Sequence, residues 1–384
     1  MDITLYFNPV DFDFFERQER FSRHSLGHFI RKNTQKATFS KKGDIKVVIF
    51  GISDESGTLN KGTARAPEMV RKHLYRLSYP EGMRGIVDLG DLKTGKTHAD
   101  VYFALRDVVE FFNDSGIVAV VLGGGQDLSI GIARAFRDIR DFTLSVVDRR
   151  IDMKTSRQVT GSMNFISKLM DENPMLFHLQ VIAVQGHLVP GTILEKLRQH
   201  TFDCIQLGQL RDDFSIAEPV LRNTSFLSFD ISSVRQADAK GYYEPSPNGL
   251  YGEEACRISH YAGLSTKISI FGLFEINPDY DFRETTSDLA AQMIWYFLEA
   301  LIHRSYADPA TDLSPFVKYF VDLEGNSLVF YKHPPTNRWW IEIQNEENDN
   351  WIVPCRESDY LAAAKEEIPD IWWKFARKTN RLLK

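Results

Sequence analysis

The chain has 384 residues, of which 43% are hydrophobic and 26% are charged, as in a globular protein with one large α/β domain or two domains. Its net charge of −6 and pI near 6.0 argue against a nucleic-acid-binding protein, which needs a basic surface. The 3 cysteines are far apart, and no apolar stretch reaches the roughly 20 residues of a membrane helix. We therefore expect a cytoplasmic protein with no disulfide framework, no Cys-x-x-Cys zinc site and no membrane span.

Residues 1–40 are rich in phenylalanine and end in a polar run at 31–36. We interpret them as an aromatic arm that packs on the main body, with a ligand site as the alternative, because buried rings commonly attach such arms. The first fifteen residues contain Asp2, Asp11 and Asp13 and lack a basic region followed by an apolar core. They do not have the pattern of a signal peptide.

Short apolar, β-branched runs alternate with helical patterns over residues 41–308. The runs are almost continuously hydrophobic, as expected of strands that are covered on both faces. The predicted strands are 45–52, 86–89, 117–122, 142–147, 179–184, 204–207, 226–231 and 268–274. The predicted helices are 100–113, 128–138, 164–171, 192–200, 249–263 and 286–303. This alternation predicts a three-layer α/β/α domain with a mainly parallel sheet of about eight strands.

Aromatic runs separated by turn residues follow Pro309. They predict a small antiparallel meander with strands at 316–323, 328–332, 339–344 and 351–354, followed by helices at 358–367 and 371–383. We expect residues 309–384 to form a β-plus-α appendage packed on the main domain. The basic residues of the last helix are interpreted as a solvated face, with a partner surface as the alternative; they are Lys374, Arg377, Lys378, Arg381 and Lys384.

Three carboxylates stand at the ends of predicted strands. Asp148 and Asp152 follow one strand, and Asp230 closes another, so they should converge at the carboxyl edge of the sheet, where ligands of such sheets bind. Clustered negative charges repel one another, so a cation or Arg150 must neutralise them. The glycine turn at 123–126 fits neither the P-loop nor the Gly-x-Gly-x-x-Gly pattern, which argues against a nucleotide site.

Six motifs in order resemble those of the arginase, agmatinase and formimidoylglutamase family, the ureohydrolases, and are most similar to the formimidoylglutamase branch. The resemblance covers roughly residues 45–305, and its motifs lie at 60–71, 87–91, 123–126, 147–152, 228–232 and 275–281. It implies an arginase-like fold. It also implies hydrolysis of a linear amidine carbon–nitrogen bond by a hydroxide that bridges two Mn(II) ions, held by two histidines and four aspartates.

The resemblance further implies that the metal ligand set is broken. Gln126 replaces the histidine of the Gly-Gly-Gly-His turn, Arg150 replaces the histidine of Asp-x-His-x-Asp, and Ser232 replaces the second aspartate of Ser-Phe-Asp-x-Asp. Asp148, Asp152 and Asp230 remain. We therefore expect no binuclear Mn cluster and no cofactor, with Arg150 binding the carboxylates directly. The alternative is one Mn, Mg or Ca ion held by the three aspartates and Gln126.

Two further residues are candidates for a catalytic role. Glu275 matches the family residue near the amidine end of the substrate, or else it caps the loop that follows. His187 lies just past a predicted strand, and a structural role is its alternative. Residues 239–245 match the family's substrate loop only loosely.

Two functions remain open. The first is a degenerate family member with a binding, regulatory or scaffold role. The second is an active hydrolase of a formiminoglutamate-, agmatine- or arginine-like amidine that uses a single cation or a remodelled site. A small amidine or amino-acid-like ligand and a homo-oligomer are the expected partners.

Overall fold

A computed structural model of the chain describes residues 2–11, 21–34, 45–154, 159–200, 202–323, 326–343 and 350–382. Part of the aromatic arm, including Phe12, Phe14 and Phe15, lies outside the described residues. The described part contributes strands β1 (Phe7–Asn8) and β2 (Arg31–Lys32), which both pair with the strand at Ile86–Leu92. The Phe7 ring packs edge-on against Phe50 with centroids 5.5 Å apart, so this part of the arm is attached by an aromatic contact.

All eight predicted strands of the main domain are present. They are β3 (Val47–Gly51), β4 (Ile86–Leu92), β5 (Val118–Leu122), β6 (Thr143–Val147), β7 (His178–Val184), β8 (Asp203–Gln206), β9 (Phe226–Asp230) and β10 (Ile270–Phe274). The strand order is β1-β4-β3-β5-β10-β9-β6-β7-β8, and β2 also pairs with β4. Only β1 is antiparallel to its neighbour in the described sheet. The predicted parallel sheet is confirmed; its ten described strands exceed eight because two-residue strands leave no periodic signal.

All six predicted helices of the main domain are present, together with three helices of that domain that were not predicted. The α-helices before the appendage are α1 (Leu26–Phe29), α2 (Ala66–Leu74), α3 (His98–Asp114), α4 (Ser129–Arg134), α5 (Phe165–Glu172), α6 (Gly191–Gln199), α7 (Leu207–Asp212), α8 (Ala217–Arg222), α9 (Gly252–Gly263) and α10 (Thr285–Ile302). The sequence analysis missed α2, α7 and α8. α2 and α8 each contain a proline, Pro67 and Pro219, which reads as a turn residue in the sequence, and α7 follows β8 without an intervening loop. None of the helices in the described ranges is long and apolar enough to cross a bilayer.

Side chains of the central strands alternate between two apolar cores. Ile49 and Val120 face a core built with α2 and α7–α10, whereas Val48 and Val121 face a core built with α3–α6. Burying both faces of a parallel sheet requires this three-layer arrangement. The centre of the sheet, where the candidate site begins, is therefore buried on both faces.

The C-terminal appendage is a four-stranded antiparallel sheet with two helices. Its elements are β11 (Val317–Leu323), β12 (Asn326–His333), β13 (Arg338–Ile343), β14 (Trp351–Cys355), α11 (Glu357–Ala363) and α12 (Asp370–Leu382). It contacts the main domain through Phe177, which stacks on Trp351 with centroids 4.3 Å apart. Arg222 of α8 is buried and donates to the carbonyls of Trp339 and Cys355 at 3.1 and 3.2 Å.

Two basic residues of α12 point toward the main domain instead of solvent. Lys374 forms a 2.8 Å ion pair with Asp203, and Lys378 is buried in contact with His178. The predicted solvated face is therefore wrong for these two residues, because α12 docks on the edge strand β8. The side chains of Arg377, Arg381 and Lys384 lie outside the described residues.

Candidate functional site

The carboxyl ends of adjacent central strands bring the predicted site residues together. Gln126 follows β5, Asp148 follows β6, Asp230 ends β9 and Glu275 follows β10. Asp148, Asp152, Asp230 and Glu275 line one cavity of about 10 Å³. This volume is close to the minimum needed for one water molecule.

The glycine turn after β5 allows close packing beneath the cavity. A Cβ on Gly124 would collide with the carbonyl oxygen of Asp54, and one on Gly125 would collide with the Asp127 carboxylate and lie 2.8 Å from Ser162 Oγ. Glycine is therefore required for steric reasons, and not for binding a phosphate.

Gln126 is hydrogen-bonded within the protein at the position of the family's turn histidine. Its backbone N–H donates to Glu275 Oε1 at 2.9 Å, and its Nε2 donates to Ser228 Oγ at 3.1 Å. Its Oε1 is buried and accepts no hydrogen bond from the described residues. Asp148 Oδ2 is likewise buried and accepts no hydrogen bond from the described residues.

The three aspartates are buried close together. Arg150 N–H donates to Asp148 Oδ1 at 2.9 Å, and Ser232 N–H donates to Asp230 Oδ1 at 2.6 Å. Burial first, and then the charges of neighbouring carboxylates, raise the pKa of Asp148 and Asp230 well above the ordinary range. The same two causes raise the pKa of Asp152 to about 7. The charge of the cluster is thus opposed mainly by proton uptake.

Arg150 does not form the direct ion pair that we expected. Within the described ranges, its guanidinium has no partner among the three aspartates at the 4.0 Å limit of a salt bridge. Its charge acts at longer range and lowers the pKa of Asp152, against the larger effect of burial. The backbone of Arg150 caps Asp148, while the half-buried side chain extends from a loop without a packed helix to direct it.

Arg149 is more deeply buried than Arg150 and lies beside the cavity. Its Nη1 donates to the Glu244 carbonyl at 3.0 Å, and its guanidinium lies 5.1 Å from the centroid of the Tyr242 ring. These contacts fix the loop that covers the aspartates.

The carboxylate and the carbonyl of Glu275 accept hydrogen bonds from other residues of the chain. Its Oε2 accepts from Thr58 Oγ1 at 2.9 Å and from Asn60 Nδ2 at 3.2 Å, and Asn60 Nδ2 also donates to its carbonyl at 2.8 Å. Its φ of 64° lies in the left-handed region, which is strained for a glutamate. Glu275 therefore lines the cavity in a conformation that the surrounding loops maintain.

The structure does not bring His187 to the cavity. It lies in a 3-10 turn, Gly186–Leu188, after β7, its side chain is exposed, and it is absent from the described residues that line the cavity. The sequence analysis missed several other lining residues, namely Thr58, Leu59, Arg149, Ser162, Met163, Tyr242 and Tyr243. Tyr242 and Tyr243 lie in the segment 239–245, so the loose match of this segment to the family's substrate loop was the sequence signal that could have identified them.

The donor set does not fit two Mn(II) ions. The cavity is lined by carboxylates, hydroxyls, two arginines and two apolar side chains, with no histidine among the described lining residues. No group of three or more His, Cys, Asp or Glu in the described ranges has the geometry to hold a metal ion. Asp148 Oδ2 and Gln126 Oε1, which accept no hydrogen bond from the described residues, are oxygens of the kind that a hard cation prefers as ligands.

Comparisons with known proteins agree with the fold. The Arginase family profile matches residues 45–299. The formimidoylglutamase of Staphylococcus haemolyticus is 23% identical over 265 residues, which are 65% of this chain and 82% of that protein. The formimidoylglutamase of Corynebacterium efficiens is 24% identical over 269 residues, or 66% of this chain and 84% of that protein.

Solved structures show the same likeness. Trypanosoma cruzi formiminoglutamase with Mn2+2 has a TM-score of 0.64 at 22% identity and covers 69% of this chain and 96% of its own. Formimidoylglutamase from Bacillus subtilis has a TM-score of 0.65 at 20% identity and covers 75% of this chain and 95% of its own. The profile match spans well over half of the chain and contains the whole carboxylate cavity. The chain therefore belongs to the arginase family, with formimidoylglutamases among its relatives.

Proposed function

We propose that this chain is a degenerate, formimidoylglutamase-like member of the arginase family that lacks binuclear-manganese hydrolysis and serves a binding, regulatory or scaffold role. The observation that carries the proposal is the size of the cavity. It measures about 10 Å³, whereas small-molecule sites occupy roughly 300–1,000 Å³. An amino-acid-sized amidine has no room beside the aspartates.

The residues at the replaced ligand positions support this proposal. The Gln126 amide is bonded to Ser228, and Ser232 donates to Asp230 through its backbone. Neither residue supplies the imidazole or carboxylate that the family uses there. The hydrogen bonds of Glu275 are likewise taken by Thr58 and Asn60 in place of a substrate.

An active amidine hydrolase with one hard cation is the second candidate. It is favoured by the two buried acceptor oxygens, Asp148 Oδ2 and Gln126 Oε1, that lack a donor in the described part of the chain. Buried acceptors without partners are uncommon in folded proteins, and each of these oxygens is of the kind that a hard cation prefers.

Metal binding and turnover distinguish the two candidates. The full chain is titrated calorimetrically with Mn(II), Mg(II) and Ca(II), and release of formamide or urea is measured with formiminoglutamate, agmatine and arginine. We expect neither stoichiometric metal binding nor product release. Tight binding of one ion together with product release would establish the second candidate instead.

Restoring the ligands tests the assignment of the site. The variant Gln126→His/Arg150→His/Ser232→Asp supplies the missing donors and is expected to bind Mn(II) where the natural chain does not. The matched control, Gln126→His/Arg149→His/Ser232→Asp, places the second histidine one residue away. If the first variant folds but binds no more Mn(II) than the control, the ligand assignment is wrong.

A further inference from the structure

The appendage has two edge strands in unequal environments. β14 is covered by the main domain, where Arg222 of α8 donates to the Cys355 carbonyl at 3.2 Å. β11 forms the other edge and, within the described ranges, pairs with β12 alone. An edge of seven residues presents a row of backbone donors and acceptors that can template another strand.

The ladder between β11 and β12 determines which backbone groups of β11 point outward. Leu323 is paired with Asn326, so two residues separate the paired ends of the strands. In a hairpin with a two-residue loop, the residue pair next to the loop is hydrogen-bonded. Hydrogen bonding then alternates, so Val317, Tyr319 and Val321 bond to β12. The N–H and C=O groups of Lys318, Phe320 and Asp322 are directed away from β12.

The same three residues have exposed side chains. Phe320 is 64% exposed, and Lys318 and Asp322 are exposed on either side of it. Tyr319, Val321 and Leu323 instead pack into the core beneath the sheet. The Lys318 ammonium lies 5.0 Å from the Phe320 ring centroid, which keeps the cation and the ring on one face.

The charge pattern of this edge is complementary to itself. If two β11 strands pair antiparallel about a two-fold axis at Phe320, each Lys318 lies opposite Asp322 of the other copy and the two Phe320 side chains meet. Opposite residues in such a pair are close enough for ion pairing and ring contact. An axis at Lys318 or at Asp322 would oppose like charges, so the axis at Phe320 is favoured among the outward-directed positions.

Exposed apolar residues also occur in the chain just before β11 and at its first position. Val317 is 43% exposed, Leu313 50% and Tyr306 74%. Edges that avoid association commonly carry charges that repel a second copy. Lys318 and Asp322 instead attract one.

We propose that β11 is a homodimer edge, on which a second copy of this chain docks antiparallel through Lys318, Phe320 and Asp322 and joins the two four-stranded sheets into one of eight strands. The surface lies outside residues 45–299, which match the Arginase family profile, and it is separate from the carboxylate cavity.

Charge reversal and charge exchange in the full chain test the proposal by sedimentation equilibrium. Lys318→Asp and Asp322→Lys each replace two attractive pairs by two repulsive ones, so each should raise the dimer Kd about tenfold or more. The double variant Lys318→Asp/Asp322→Lys restores the pairs and should return the Kd to that of the natural chain. Lys365→Asp, an exposed reversal on the same appendage, is the matched control and should leave the Kd unchanged.

A backbone test complements the charge test. Phe320→Pro removes an outward N–H that does not bond to β12, so it should abolish the dimer while thermal unfolding shows a folded monomer. A natural chain that is monomeric at about 100 μM, where even small interfaces associate, would overturn the proposal. A dimer whose Kd is insensitive to both single reversals, or is not restored by the exchange, would overturn it as well.

Discussion

Two clusters of acidic residues belong to the main sheet and its strand ends, and they are neutralised differently. In the first, Arg71 of α2 binds Asp88 of β4 through Nε at 2.9 Å and through Nη2 at 3.1 Å, and it also pairs with Asp91 at 2.5 Å. In the second, Asp148, Asp152 and Asp230 surround a cavity of about 10 Å³, and within the described ranges the Arg150 guanidinium reaches none of them at salt-bridge distance.

The difference lies in the element that carries each arginine. Arg71 projects from a helix that packs on the sheet, and although burial opposes its charge, Asp88 and Asp91 raise its pKa. Arg150 projects from the loop next to its target, and its backbone caps Asp148. An arginine close to a carboxylate in sequence therefore predicts an ion pair only when a packed element directs the guanidinium toward it.

The two clusters should differ most in the unfolding free energy that is lost when the arginine of each is removed. Arg71→Met leaves Asp88 buried without its cation, and the loss of one partner from a buried ion pair costs about 3–5 kcal/mol of unfolding free energy. Arg150→Met removes a half-buried group that makes no such pair and should cost less than about 1 kcal/mol. Urea denaturation of both variants measures the difference. Equal losses would show that Arg150 neutralises its cluster as Arg71 does.

Neutralising one aspartate in each cluster should change stability in opposite directions. Asp88→Asn weakens a satisfied ion pair and should cost about 2–3 kcal/mol. Burial raises the pKa of Asp148, so folding at pH 7 requires this carboxylate to take up a proton, and Asp148→Asn, which removes that cost, should stabilise the chain by about 1 kcal/mol. Both are measured by urea denaturation in the presence of a chelator. A destabilised Asp148→Asn variant would mean that the cluster is compensated by a group other than its own protons.

The smallest change in stability is expected from the titration of a third arrangement, in which a histidine lies between two aspartates. His98 Nδ1 is 2.9 Å from Asp54 and Nε2 is 2.7 Å from Asp127, and these hydrogen bonds, that of Asp127 first, raise the pKa of His98 to about 9. The folded pKa exceeds the unfolded value near 6.5, so the stabilisation is complete below that value and is lost as pH rises toward 9. We expect stability to fall across this window in the natural chain.

The variant His98→Gln is the control for this pH dependence. It keeps a hydrogen-bonding side chain but has no proton to lose, so its stability should be flatter between pH 6.5 and 9. Denaturation midpoints at several pH values measure the two slopes. Identical slopes would show that another group causes the dependence.

The fold was predictable because buried parallel strands are continuous apolar runs, and runs such as 117–122 and 226–231 leave little ambiguity. The aspartates of the site were predictable from their places at strand ends. The direction of the Arg150 side chain was not predictable, because it depends on how the loop packs. The inward direction of Lys374 and Lys378 was not predictable either, because the sequence of a basic helix does not indicate the surface on which the helix docks. Thr58 and Ser162 were missed because isolated hydroxyls on loops carry no pattern.

The left-handed backbone of Glu275 depends on side chains that also shape the cavity. Thr58 donates to the Glu275 carboxylate and lines the cavity, and Asn60 donates to both the carboxylate and the carbonyl of Glu275. The strained φ of 64° is therefore maintained by the same loop that forms part of the cavity wall. A substitution at Thr58 consequently acts on the backbone of Glu275 and on the wall of the cavity together.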